Sequence, residues 1–113
     1  MNDEFVLKVY FYQSEAGNEP VREWLKSLDK VDMKVIGEDI KTVQLRWPLG
    51  MPLIRKLEAG LWEVRSHLTG KRIARVLFTV HDDEMVLLHG FEKDSKKTPK
   101  ADLELARKRR KAL

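Results

Sequence analysis

Arg65 and Arg75 stand inside two apolar-patterned segments, and His89 and Phe91 stand near the end of a third. Arginine keeps its charge at physiological pH and grips phosphate through a planar fork of donors. An aromatic ring stacks on an unpaired base, and an imidazole titrates near neutrality and can carry a proton. Together the four side chains suit a surface that orients RNA and stabilises charge on a phosphate undergoing transfer. The same spacing also suits an arginine ladder paired to Glu63 and its neighbours, with Phe91 in the core, and periodicity does not choose between the two.

Further cations flank this set. The segment Lys93-Asp94-Ser95-Lys96-Lys97-Thr98-Pro99-Lys100 directly follows the third apolar segment. It is placed either to close over one end of the surface or to serve as a solvated linker. Lys56 precedes the first segment and is expected to approach the same surface. Arg107-Lys108-Arg109-Arg110-Lys111 cannot all share one helix face, so some of these cations face water; the block suits nonspecific docking on backbone phosphates. The net charge of +4 is uneven: residues 1–50 hold 7 Lys/Arg against 9 Asp/Glu, and residues 51–113 hold 15 against 9. This asymmetry points to a polyanion partner for the second half, nucleic acid being the commonest.

Other chemistries find little support. The chain has no cysteine, which excludes disulfides and thiolate metal sites. His67, His81 and His89 lack ligand spacing, so neither a metal nor another cofactor is expected. Asp82-Asp83-Glu84 reads as a solvated turn. No glycine-rich phosphate loop and no serine in a nucleophile-elbow context is present. No apolar run approaches the roughly 20 residues of a membrane helix, and the acidic start Met1-Asn2-Asp3-Glu4 is unlike a signal peptide. The expectation is one cytoplasmic domain over residues 1–113, with no membrane partner.

The elements that must position the arginines follow from periodicity. A strand is expected from Phe5 to Tyr12, rich in β-branched and aromatic residues. Ala16-Gly17-Asn18 turns the chain, and Pro20 opens a helix with Val21, Trp24, Leu25 and Leu28 on one face. Asp29 starts a second helix whose stripe is Met33, Ile36, Ile40, Val43 and Trp47. Pro48-Leu49-Gly50-Met51-Pro52 is a loop. Three strands follow, Leu61–Leu68, Arg72–His81 and Met85–Phe91, with turns at Thr69-Gly70 and Asp82-Asp83-Glu84. Thr98 can cap a last helix running to Leu113, with Pro99 as its first residue.

The order strand, helix, helix, strand, strand, strand, helix implies an α+β fold, a mostly antiparallel sheet with its helices packed on one face. Alternation sets Trp62, Val64 and Leu68, then Ala74, Val76, Phe78 and Val80, then Val86 and Leu88 beneath those helices. The opposite face, left open, carries Arg65, Arg75, His89 and Phe91; a bulge would shift this assignment.

Gly60-Leu61-Trp62-Glu63-Val64-Arg65, Arg72-Ile73-Ala74-Arg75-Val76-Leu77-Phe78, Leu87-Leu88-His89-Gly90-Phe91-Glu92-Lys93, Lys97-Thr98-Pro99 and Ala106-Arg107, taken in order, resemble the phage-related Gp49-like proteins. That group includes HigB-type toxins of the RelE/ParE superfamily, and the resemblance spans nearly the whole chain. It implies a RelE-like fold and the toxin of a type II toxin–antitoxin system. The implied activity is metal-independent cleavage of mRNA, usually on the translating ribosome, by attack of a 2′-hydroxyl on the adjacent phosphate. The implied partner is a HigA-like helix-turn-helix antitoxin, in a complex that can be a heterotetramer. Carried over by position, Arg75 would hold the scissile phosphate, Arg65 would assist electrostatically, and Lys93 would support the leaving group. His89 is the available proton carrier. Phe91 would stack on a base, and Lys56, Arg72, Lys96 and Lys97 would hold the RNA. One departure is plain: several RelE relatives use a tyrosine near the C-terminus, and here no tyrosine follows Tyr12. The superfamily also leaves open a ParE-type gyrase inhibitor and an inactive RNA-binding module.

Overall fold

The computed structural model describes residues 5–92 and 98–113. Strand β1 (Lys8–Phe11) is followed by helices α1 (Pro20–Ser27) and α2 (Lys30–Arg46). Strands β2 (Ile54–Glu58), β3 (Leu61–His67), β4 (Ile73–His81) and β5 (Glu84–Glu92) come next, and helix α3 (Lys100–Lys111) closes the chain. The sheet order is β1-β5-β4-β3-β2. β1 runs parallel to β5, and the other pairings are antiparallel. No helix among the described residues is long and apolar enough to cross a membrane.

The α+β class and the β3–β4–β5 meander agree with the sequence reading, but three features differ. First, β2 is a strand that the sequence reading left unassigned; it forms a hairpin with β3 through Ala59-Gly60. Gly60 takes φ +77° there, and a Cβ on it would collide with the Arg110 guanidinium. The positive φ is what favours glycine here, since the Arg110 side chain can swing aside.

Second, the helices do not share one face. α1 packs over β5 and α2 over β3, while α3 lies on the other side against β5 and β4. The α1–α2 side holds the larger core: Val21, Ile36, Ile40 and Val43 meet Val64, Val76, Phe78 and Leu87. The edge-to-face contacts of Trp47 with Trp62 at 5.0 Å and with Phe78 at 5.7 Å extend it. On the α3 side, Leu61, Leu77, Val86 and Leu88 pack on Ala106 and Leu103. The face expected to be open is therefore covered in part.

Third, the register between β4 and β5 slips: Leu77 pairs with His89 while Phe78 pairs with Leu87, so Leu88 is an extra residue. Such a bulge inverts the alternation on one side of itself. Leu87 therefore joins the α1–α2 core and Val86 the α3 core, opposite to the simple alternation, while His89 and Phe91 keep the face predicted for them. The bulged Leu88 carbonyl accepts a hydrogen bond from Arg109 Nη1 at 2.8 Å. Arg109 thus belongs to the fold and not to a docking surface. Arg107 is likewise engaged, with Glu58 at 2.5 Å.

The α2 stripe also shifts. Met33 is exposed and Asp32 is buried, because Asp32 takes a two-pronged hydrogen bond from Arg72, 2.9 and 3.0 Å long. At the start of α3, Thr98 does not cap; Pro99 occupies the N-cap position and the helix begins at Lys100.

Candidate nucleic-acid interface

Arg65 and Arg75 are direct cross-strand partners on β3 and β4, and Phe91 of β5 is the next partner of Arg75. The three lie in one row across the sheet. Like charges directly opposite each other destabilise a sheet, and here a buried carboxylate offsets the repulsion. Glu63, fully buried, lies 3.9 Å from Arg75 Nη1 and 3.8 Å from Arg65 Nε. The Thr98 hydroxyl donates to Glu63 Oε2 at 2.7 Å. One carboxylate therefore ties two strands and the entry to α3 together. This matches the arginine ladder paired to Glu63 that the spacing left open.

The two arginines differ in access. The Arg75 side chain is fully buried, whereas 15% of the Arg65 side chain reaches solvent. Burial lowers the Arg75 pKa; Glu63 opposes this, and the neighbouring charges of Arg65 and Arg55 add to it. With no exposed surface, Arg75 makes no direct grip on a phosphate in this conformation. Arg65 is the member of the pair that can touch one.

Arg55 is a residue the sequence reading missed. It pairs with Glu63 across β2 and β3 and so shares the arginine face. Lys56, the residue expected there, pairs instead with Trp62 and lies on the α1–α2 face. Its assignment to the basic surface is corrected by this register. The signal lay in the short run Ile54–Glu58 before Ala59-Gly60: once the run is a strand, alternation puts Arg55 and not Lys56 beside Glu63.

His89 and Phe91 stack at 5.3 Å between ring centroids. His89 Nε2 lies 2.6 Å from Asp102 Oδ1 in the first turn of α3. Both rings are partly accessible. Asp102 fixes the imidazole by occupying one ring nitrogen, and a protonated ring would have its counter-ion in place.

Arg72 is strongly engaged within the fold. Besides Asp32 it bonds Glu92 at 3.1 Å and the Thr69 carbonyl and hydroxyl at 2.9 and 3.0 Å. The bonds to Asp32 and Glu92 raise its pKa, and the Arg72 bond holds Asp32 below the usual carboxylate range. A backbone-holding role for Arg72 would cost it these partners. Lys93, Lys96 and Lys97 lie outside the described residues. Among the described residues no three His, Asp or Glu side chains cluster as a metal site.

A family model, that of the phage-derived Gp49-like proteins (DUF891), matches residues 23–111. The chain belongs to the Gp49-like family. The match runs from α1 to the end of α3 and takes in each described residue of the arginine face. The family is toxin-like, of the RelE/HigB kind, and membership suggests an antitoxin partner. No curated protein matches the chain.

Proposed function

We propose that this Gp49-like protein is a RelE-like toxin domain spanning residues 1–113 that cleaves mRNA in the cytoplasm, on the translating ribosome and without a metal ion. The observation carrying the reading is the Arg65–Arg75 pair held over buried Glu63. A fold gains little from two opposed guanidiniums and a buried carboxylate, since buried ion pairs are seldom net stabilising. A positive field preorganised beside an accessible guanidinium suits charge developing on a phosphate.

In the proposed reaction the 2′-hydroxyl oxygen bonds to the adjacent phosphorus as the bond to the 5′ oxygen breaks. The products are a 2′,3′-cyclic phosphate and a 5′-hydroxyl. The 2′-hydroxyl proton is taken up by a base, and the departing 5′ oxygen gains one. Arg65 contacts the nonbridging phosphate oxygens. Arg75 acts from beneath as a positioning residue that, with Glu63, fixes Arg65 and adds positive potential. His89, held by Asp102, is the proposed proton carrier, and Phe91 stacks on a neighbouring base. Lys93, Lys96 and Lys97 are proposed to complete the phosphate contacts. A HigA-like helix-turn-helix antitoxin is the proposed partner, in a heterotetramer.

Primer extension on mRNA from translating cells tests the reading. Arg65→Ala is expected to lower cleavage by at least about a hundredfold, the scale of losing one preorganised charge-stabilising donor, while thermal unfolding changes little. Cleavage at the wild-type rate would remove Arg65 from the site. Absence of cleavage by the wild-type chain, with ribosomes present, would sink the nuclease reading altogether.

A further inference from the structure

Beside the arginine row, at the sheet edge beyond the start of β2, a groove of about 250 Å³ is lined by Val35, Asp39, Pro52, Leu53, Arg65 and His67. It lies below the roughly 300–1,000 Å³ of sites for drug-sized ligands, a size for one planar ring system. Arg65 belongs both to this groove and to the Glu63 cluster. The Arg65 backbone N–H donates to the Leu53 carbonyl at 2.9 Å, which fixes the groove wall against β3. Val35, Pro52 and Leu53 supply apolar walls. Asp39, on α2, supplies a half-buried carboxylate, and no hydrogen bond or ion pair ties it to another described residue.

We infer that this groove seats the base of a nucleotide next to the phosphate held by Arg65, and that Asp39 selects guanine there. The inference rests on the RNA-binding reading above. A carboxylate only accepts hydrogen bonds. The Watson–Crick edge of guanine offers two adjacent donors, N1–H and the N2 amino group, and so matches both carboxylate oxygens. Adenine and cytosine each offer one amino group beside an acceptor. Uracil sets its single N3–H between two carbonyl oxygens, which the carboxylate repels. Unpaired RNA bases are commonly read on this edge while their faces rest on side chains, and Pro52 and Leu53 provide such a surface.

The test titrates the full chain with 2′-O-methyl RNA tetranucleotides, which cannot be cleaved, differing only in one central base, and reads affinity and backbone amide shifts. The wild-type chain is expected to bind the guanine oligonucleotide about fivefold more tightly than the uracil one, the lower end for a two-pronged base contact. Asp39→Asn is expected to weaken guanine binding and strengthen uracil binding, erasing the preference. Arg65→Ala is expected to weaken all four by a common factor. A uniform gain for every oligonucleotide in Asp39→Asn would overturn the seat, because Asp39 would then only repel phosphate. So would binding without base preference, and in that case the RNA-binding reading survives. If no oligonucleotide binds, both fall. If instead a lysine-containing peptide shifts the groove amides and the oligonucleotides do not, the groove belongs to a protein segment.

Discussion

On the α1–α2 side of the sheet, Val64, Val76, Phe78 and Leu87 meet Ile36, Ile40 and Val43 in a continuous apolar layer. One residue further along the same strands, the α3 side places Leu61, Leu77 and Leu88 beside Glu63, Arg65 and Arg75. The first face is held by burial, worth roughly 1.5–3 kcal/mol for each large apolar side chain. The second is apolar only where α3 lies, and elsewhere it holds a charge cluster whose desolvation offsets much of its attraction. Most of the stability and the proposed phosphate chemistry thus fall on opposite sides of one sheet, with only the Asp39 groove at its edge reaching the α2 side, so the two can largely be perturbed separately.

Phe78→Ala addresses the apolar side. Loss of a fully buried phenylalanine is expected to cost about 3–5 kcal/mol, measured by urea unfolding, with RNA binding per folded molecule unchanged. An equal loss of RNA affinity by the folded fraction would show that the two faces are coupled.

Glu63→Gln addresses the other side. Removing the carboxylate leaves Arg75 buried beside Arg65 without this counter-charge and is expected to cost roughly 3–5 kcal/mol, as for a broken buried ion pair. Adding Arg75→Met to Glu63→Gln should recover part of that loss in the same unfolding assay. No recovery would mean that Glu63 matters through the Thr98 contact instead.

Gly90→Ala is expected to have a smaller effect. A Cβ at Gly90 would press into the Trp24 ring, and overpacking of this kind costs roughly 1–3 kcal/mol. Tryptophan fluorescence should shift along with the unfolding midpoint; neither moving would mean that the ring relaxes freely.

The smallest effect concerns pH. The hydrogen bonds from Arg72 hold Asp32 below the usual carboxylate range, and Arg107 does the same for Glu58. Each therefore contributes stability that is present above the unfolded carboxyl value and is lost as pH falls through the lowered folded value. Thermal unfolding across acidic pH should show a shallower acid limb for Asp32→Asn and for Glu58→Gln. An unchanged limb in both would assign acid sensitivity to other carboxylates.

Much of this division was legible in the residues. Strict alternation in Leu61–Leu68 and Arg72–His81 put Arg65 and Arg75 on one face, and the helical stripe Ile36, Ile40, Val43 gave α2 its orientation. What escaped has physical reasons. Ile54–Glu58 is short and mostly charged or singly apolar, and it follows two prolines, so it carries no period of its own; the hairpin with β3 makes it a strand. α3 combines apolar Leu103 and Ala106 with many cations, and sequence alone does not say which side of the sheet it joins. The Leu88 bulge leaves no mark in composition, because its carbonyl is satisfied by Arg109 from a distant element. Asp32 displaced Met33 from the core only because Arg72, far along the chain, came to meet it. At the arginine face, the chemistry of the residue types was visible, but the burial that separates Arg65 from Arg75 was not.

The pairing of β1 with β5 joins Lys8 to Glu84, so a strand made early waits on the ribosome for one made much later. Closing so long a loop is entropically slow, and topologies dominated by such contacts fold late. His89 and Phe91 sit on that same final strand. A nascent chain halted before β5 would expose the unpaired β1 and an incomplete arginine row, prone to aggregate and lacking the proposed site. The order of synthesis therefore acts as a timer, assembling the proposed RNA-facing surface only after β5 has emerged.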